Sequence, residues 1–118
     1  MSNNIQTLDD RLNQMILTGK AMEGFETFYA DDVVMQENQA PATAGKDANR
    51  ERELAFFSAV EAFHGADLLA TAVNGDVSFG EIHMDVTFKG AGRVTMAQAY
   101  VRRWRDGKIA QERFYYSK

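Results

Sequence analysis

Four residues in this chain could move a proton or orient a polar ligand: Glu37, Glu112, His83 and Tyr100. Glu37 closes the apolar run Val33–Val34–Met35 and shortly precedes the single proline, Pro41. A general base must reach a substrate proton, and it works best with a pKa near the working pH. A carboxylate at a strand end, over an aromatic cavity, is raised toward that range by desolvation. The alternative for Glu37 is a solvated acid on a loop edge, or one paired with Lys46 or Arg50. Glu112 stands in KIAQERFYY, where alternation places it on one face with Ala110, Phe114 and Tyr116. A glutamate on a buried face needs a partner. Arg102, which shares a strand face with Tyr100 and Trp104, is the best one. The pair is either catalytic or a structural bridge across a hairpin. His83 has only His64 for company, and no two-histidine helical spacing exists, which argues against a metal site. It lies either in a cavity, where it could bind a ligand or shuttle a proton, or on an outer sheet face. Tyr100 offers a phenol as a hydrogen-bond donor.

The elements that must position these groups follow from periodicity. Ile5, Leu8, Leu12, Met15 and Ile16 repeat at helical spacing, and Gly19 is placed to end that helix. Met22, Phe25, Phe28 and Tyr29 predict a second short helix. Val33–Glu37 reads as a short strand and Asn38–Ala44 as a loop. A third helix is expected from an Asp47 cap to about Ser58, with Leu54, Ala55 and Phe57 inward; ANRERE is its solvated side. Four β-rich runs follow: ADLLATAV, DVSFGEIHMDVTF, RVTMAQAYVRRWR and KIAQERFYY. Asn74–Gly75, Gly90–Ala91–Gly92 and Asp106–Gly107 separate them, which are hairpin signals. Helices first and strands second is an α+β pattern. The simplest packing lays three helices across one face of a strongly curved antiparallel sheet of one short strand plus a four-strand meander. That makes a cone with an internal cavity suited to a small apolar ligand.

Composition narrows the function classes. The 118 residues suggest a single domain, 1–118. The absence of cysteine excludes disulfides and thiolate zinc sites. A net charge of −4 with scattered basic residues argues against nucleic-acid binding. No apolar run approaches a membrane span, and MSNNIQTLDD lacks the regions of a signal peptide, so a cytoplasmic protein is expected. No dinucleotide fingerprint, P-loop or nucleophile elbow occurs. The outward positions Ala97, Ala99 and Val101 are small or aliphatic, which predicts a homodimer through the outer sheet face.

FYADDVVMQE and AGKDANRERELAFF, with a meander closing on RRWRDGKIAQERFYY, resemble the SnoaL-like branch of the nuclear transport factor 2-like superfamily. The resemblance covers almost the whole chain. It is most specific at Tyr29–Ala30–Asp31–Asp32, at Gly45–Lys46 and at Trp104 to Ile109. It implies the cone-shaped, cystatin-like fold, usually dimeric through its sheets. The superfamily holds ketosteroid isomerases, polyketide cyclases, scytalone dehydratase-like enzymes and non-enzymatic transport proteins, so the fold alone does not decide function. Register with the isomerases places Glu37 at their catalytic base. Their two oxyanion donors fall near Leu12 or Asn13 and near Tyr100, and neither the tyrosine nor the aspartate is retained. The acid/base aspartate of the cyclases is also absent, with Glu112 the one late carboxylate. In the family the face of Glu112 and Phe114 looks into the cone.

These observations name Glu37 and Glu112 as candidate catalytic groups. Phe28, Met35, Phe57, His83, Met96, Tyr100, Trp104 and Phe114 are the candidate ligand-binding residues. The expected ligand is a small apolar or aromatic molecule, with no metal and no cofactor. The expected function is cofactor-independent isomerase or cyclase chemistry; the alternative is a non-catalytic binding or dimeric interaction module.

Overall fold

The computed structural model describes residues 3–117. Helix α1 (Asn3–Leu17) buries Ile5 and Leu12 and packs Leu8, Met15 and Ile16 against the same core. Its inward stripe also carries Asp9 and Asn13, both fully buried. Gly19, at φ +82°, ends the helix, and the Lys20 amide returns to the Met15 carbonyl at 2.7 Å. Helix α2 (Ala21–Phe28) buries Phe25 and Phe28. Gly24 lets it approach α1, since a Cβ there would lie 2.6 Å from Leu12 Cδ1.

Strand β1 (Tyr29–Glu37) follows α2 without a break and is longer than the expected Val33–Glu37. After it come β2 (Thr43–Ala44), α3 (Lys46–Ser58), β3 (Val60–Asn74), β4 (Val77–Phe88), β5 (Gly92–Arg105) and β6 (Lys108–Tyr115). The sheet order is β2-β1-β6-β5-β4-β3. The meander is antiparallel as expected, but β1 lies parallel to β6, with Met35 opposite Glu112 and Glu37 opposite Phe114. The sheet is therefore mixed and six-stranded. The long excursion through α3 and the meander supplies the crossover that a parallel pair requires. β3 also starts earlier than expected, at Val60, and its register shifts near Gly65 and Leu69 bend the sheet.

The β5–β6 turn has Asp106 at φ +53° and Gly107 at φ +77°, the paired positive values of a tight hairpin. Beyond it the register slips by a residue at Ala110, so Trp104 meets Ile109 while Arg102 meets Glu112. Strict alternation over the whole strand is thus corrected. The bulge lets both Ile109 and Glu112 face inward, and both are fully buried.

One buried residue of helix α3, Asn49, ties its first turn to the sheet. The Asn49 amide donates to the carbonyls of Val33 at 3.2 Å, Thr43 at 2.9 Å and Gly45 at 2.8 Å. Gly45, not Asp47, is the N-cap. Asp47 sits in the first turn and accepts from Arg50 at 2.7 Å. The inward face also differs from expectation. Leu54 is 49% exposed and Ala55 is exposed, while Asn49 is buried and Glu53, Phe56 and Phe57 are half-buried. The i, i+4, i+7, i+8 spacing of those four defines the face that meets the sheet. No described helix is long and apolar enough to cross a membrane.

Candidate functional site

A cavity of about 130 Å³ lies between the helices and the inner face of the sheet. Its walls are largely apolar: Leu12, Ile16, Phe25, Phe56, Phe57, Ile82, Met84, Met96 and Phe114. Five polar groups join Tyr29 on that surface: Glu37, Arg52, Glu53, Gln98 and Arg102. Strand parity and the bulge at Ala110 bring β4, β5 and β6 residues to one side; the Asn49 anchor brings Arg52 and Glu53 to the other.

Arg102 is the link between this cavity and a buried polar cluster. Its Nε donates to Glu112 Oε2 at 2.8 Å. Its Nη1 donates to Asp9 Oδ1 and to Asn13 Oδ1, both at 2.8 Å. The guanidinium stacks on the Tyr100 ring, 3.7 Å from its centroid. Tyr100 donates its hydroxyl hydrogen to Asp9 Oδ2 at 2.7 Å and accepts from Asn13 Nδ2 at 2.8 Å. Ser78 donates to Asp9 Oδ1 at 2.8 Å and accepts from Trp104 Nε1 at 2.9 Å. Tyr29 donates to Glu112 Oε1 at 2.6 Å. Gly80 makes room for this arrangement: a Cβ there would lie 2.3 Å from the Tyr100 ring. Among the described residues, no buried side-chain nitrogen or oxygen lacks a partner.

The electrostatics follow from burial and charge count. Burial opposes the charge on Arg102, but the carboxylates of Glu112 and Asp9 outweigh it and hold the guanidinium firmly charged. Burial, then the Glu112 charge, raises the Tyr29 phenol well above its usual range, so it remains a neutral donor. Glu53 behaves differently. Burial first, then the charges of Glu112 and Glu37, push its carboxyl up from 4.5 to about 7, against the opposing pull of Arg52. Glu53 thus titrates near neutrality on the wall of an apolar cavity, the condition that suits a general acid or base. Glu37 is also on the wall, but it is clamped. Arg52 Nη2 donates to its Oε2 and Tyr116 OH to its Oε1.

A profile for the SnoaL-like domain matches residues 3–116. The chain belongs to the SnoaL-like domain family. A solved structure from Mesorhizobium loti, provisionally assigned as a SnoaL-like polyketide cyclase, is 30% identical to it. That match covers 95% of this chain and 98% of the other, with a TM-score of 0.84. A protein from Catenulispora acidiphila with a ketosteroid isomerase-like fold, solved with trimethylamine, is 18% identical over 99% of this chain and 88% of that one, TM-score 0.76. An M. tuberculosis LEH-like epoxide hydrolase is 18% identical over 96% and 81%, TM-score 0.74. The last two likenesses show the shared fold. No curated protein matches the chain.

Within this SnoaL-like domain, the expected residues divide by location. Glu37, Phe57, Met96 and Phe114 line the cavity together. Glu37 pairs with Arg52, not with Lys46 or Arg50, both of which turn to Glu26. Glu112 is beneath the surface, fully buried and bound to Arg102 and Tyr29. Tyr100 is in the same buried cluster, where its hydroxyl accepts from the Asn13 side-chain amide. Phe28, Met35 and Trp104 are packed core, in one buried cluster with Ile5, Leu12, Val33 and Ile109. His83 is not in the cavity. Its neighbours Ile82 and Met84 line it, so strand alternation puts His83 on the outer face, opposite Ala97 and Asp67. Among the described residues no cluster of three or more His, Cys, Asp or Glu is placed to hold a metal. Glu53, Arg52, Asp9 and Asn13 were not anticipated. The signal for Glu53 is its place four residues after Asn49 and three before Phe56.

The shift at Glu53 makes a stability prediction. Its folded value of about 7 is above the ordinary 4.5, so folding binds a proton. That contribution is whole below about pH 4.5 and is lost as pH rises through about 7. Glu53→Gln should therefore match the parent near pH 4 and exceed it by roughly 2–3 kcal/mol at pH 8. Urea unfolding at several pH values measures this; parallel curves for the two proteins would exclude the assignment.

Proposed function

We propose that the cavity binds a small, largely apolar or aromatic molecule by one polar end, a carbonyl. Glu53 and Arg102 then carry cofactor-independent acid–base chemistry on it. The observation that supports this most is that the Glu53 carboxyl, which among the described residues has no clamping partner like that of Glu37, and the Arg102 guanidinium line the same largely apolar cavity. Arg102 has its Nε and Nη1 engaged below the floor, so Nη2 is the end it offers to a ligand. In the proposed step, the Glu53 carboxylate removes a proton α to the carbonyl. The C–H electron pair forms the enolate double bond, and the carbonyl π pair moves to oxygen, where Arg102 Nη2 donates to the developing charge. Return of the proton at another carbon, or attack of the enolate carbon on a second carbonyl, gives an isomerase or a cyclase outcome. Glu37 is a positioning group in this scheme: its charge helps to raise Glu53 and its pair with Arg52 holds the rim. The family likeness to a polyketide cyclase-type protein agrees with this class of chemistry.

Acetophenone in D₂O provides the test. The wild-type protein should exchange the α-methyl hydrogens faster than buffer by ¹H NMR. Glu53→Gln should reduce that rate about 10²-fold or more while retaining binding. Binding without catalysed exchange, tried also with cyclic and polycyclic ketones, would favour a carrier function; unchanged exchange in Glu53→Gln would remove Glu53 from the role.

A second copy of the chain is proposed to cover the outer sheet face. Leu69, Phe79 and Tyr115 are exposed large apolar residues and lie with Ala97, Ala99 and Val101 on strands β3 to β6. Small alanines at the centre permit two sheets to approach closely. Sedimentation at micromolar concentration should give a dimer, and Ala99→Glu a monomer with its cavity intact. A wild-type monomer at that concentration contradicts the assignment.

A further inference from the structure

A second cavity, of about 300 Å³, adjoins the first. Ile16, Ala21, Phe56, Phe57 and Met84 line both. The second has none of the buried polar groups of the first. Its own walls include Met22, Val60, Phe63 and Val86, and its charged groups, Lys20 and Glu23, are exposed. Polarity thus falls from Arg102 and Glu53 through an apolar stretch and returns only at solvent. Such a gradient matches an elongated molecule with one polar end.

Two of the five residues that line both cavities form an aromatic pair. Phe56 and Phe57 meet edge to face with centroids 5.0 Å apart. Phe56 is held on another side by Phe88 at 5.6 Å. Phe57 has no second aromatic partner among the described contacts, and it sits at the end of α3, whose anchor, Asn49, is two turns away. Phe57 is therefore the freer member of the pair.

We propose that the second cavity is a tail subsite: it takes the apolar chain of the ligand whose polar end meets Arg102 and Glu53, with Phe57 as the partition that the chain displaces. This rests on the proposed carbonyl-binding role of the first cavity. The implied ligand class is a carbonyl compound that carries a long alkyl chain.

A series of linear methyl ketones, from 2-butanone to 2-dodecanone, tests this by ligand-induced thermal stabilisation converted to apparent Kd. Each methylene that enters an apolar site is worth about fourfold in affinity. In the wild-type protein affinity should continue to climb into the longer members. Val60→Trp, which fills only the second cavity, should leave the short ketones unchanged and weaken the long ones at least tenfold. Met22→Trp, from the opposite wall, should do the same and serves if Val60→Trp does not fold. Phe57→Ala should move the steepest gain to shorter chains. If short ketones bind but the longer ones gain nothing, or both tryptophan variants leave the long members unaffected, the tail subsite is wrong while the carbonyl site stands. If no ketone binds at any length, both are overturned.

Discussion

The arrangement depends on a guanidinium that has been taken out of water. Arg102 is 1% exposed, and it is bound by two carboxylates, Asp9 and Glu112, that are themselves fully buried. Desolvating three charges is expensive, and an ion pair in such a place offsets that cost only when its geometry is good and the remaining lone pairs are satisfied. Here they are: Asn13, Ser78, Tyr100 and Tyr29 complete the set. The cluster joins α1 to β4, β5, β6 and the start of β1. It stitches the first helix to the last strand, and it fixes which atoms of Arg102 are occupied and which face the cavity. Removal of the guanidinium would leave two buried carboxylates without their charge partner, a strongly destabilising kind of single change.

The same cluster sets the chemistry above it. Two buried carboxylates stand against one guanidinium, so the floor of the cavity does not neutralise itself. The Glu112 charge, together with that of Glu37 at the rim, reaches Glu53 and opposes its ionisation. Glu53 is held in range by a structural device of a different kind, the Asn49 amide that ties α3 to β1 and β2. A carboxyl poised near neutrality thus results from one buried network and one anchored helix, with no metal or cofactor invoked. The apolar walls complete the effect, because they keep the local dielectric low.

Much of the frame was legible in the residues, and the reasons for the rest are physical. Glycine and Asp-Gly turns marked the hairpins, and the periodicity of Ile5, Leu12 and Ile16 marked α1. The Arg102–Glu112 pair could be read because a short turn fixes its register. Asp9 and Asn13 could not be read as inward. They share the apolar stripe of α1, but their partners are Ser78, Tyr100 and Arg102, between 69 and 93 residues away. Sequence spacing carries no trace of contacts at that distance. Glu53 was hidden by its company in ANRERE, where charge suggested a solvated face, and α3 packs so lightly that Leu54 remains exposed. His83 was ambiguous by parity alone, and the inward placement of its neighbours Ile82 and Met84 decides it. The parallel β1–β6 pairing needed the whole chain to be folded before it could be seen.

The central claim is that Glu53, not the clamped Glu37, is the ionisable group poised for proton transfer. It is tested most directly by the side-chain ¹³Cδ resonance of Glu53 in uniformly labelled protein, assigned by its loss in Glu53→Gln and followed against pH. A midpoint of about 7 is the predicted result. A midpoint near the ordinary 4.5 would contradict the account.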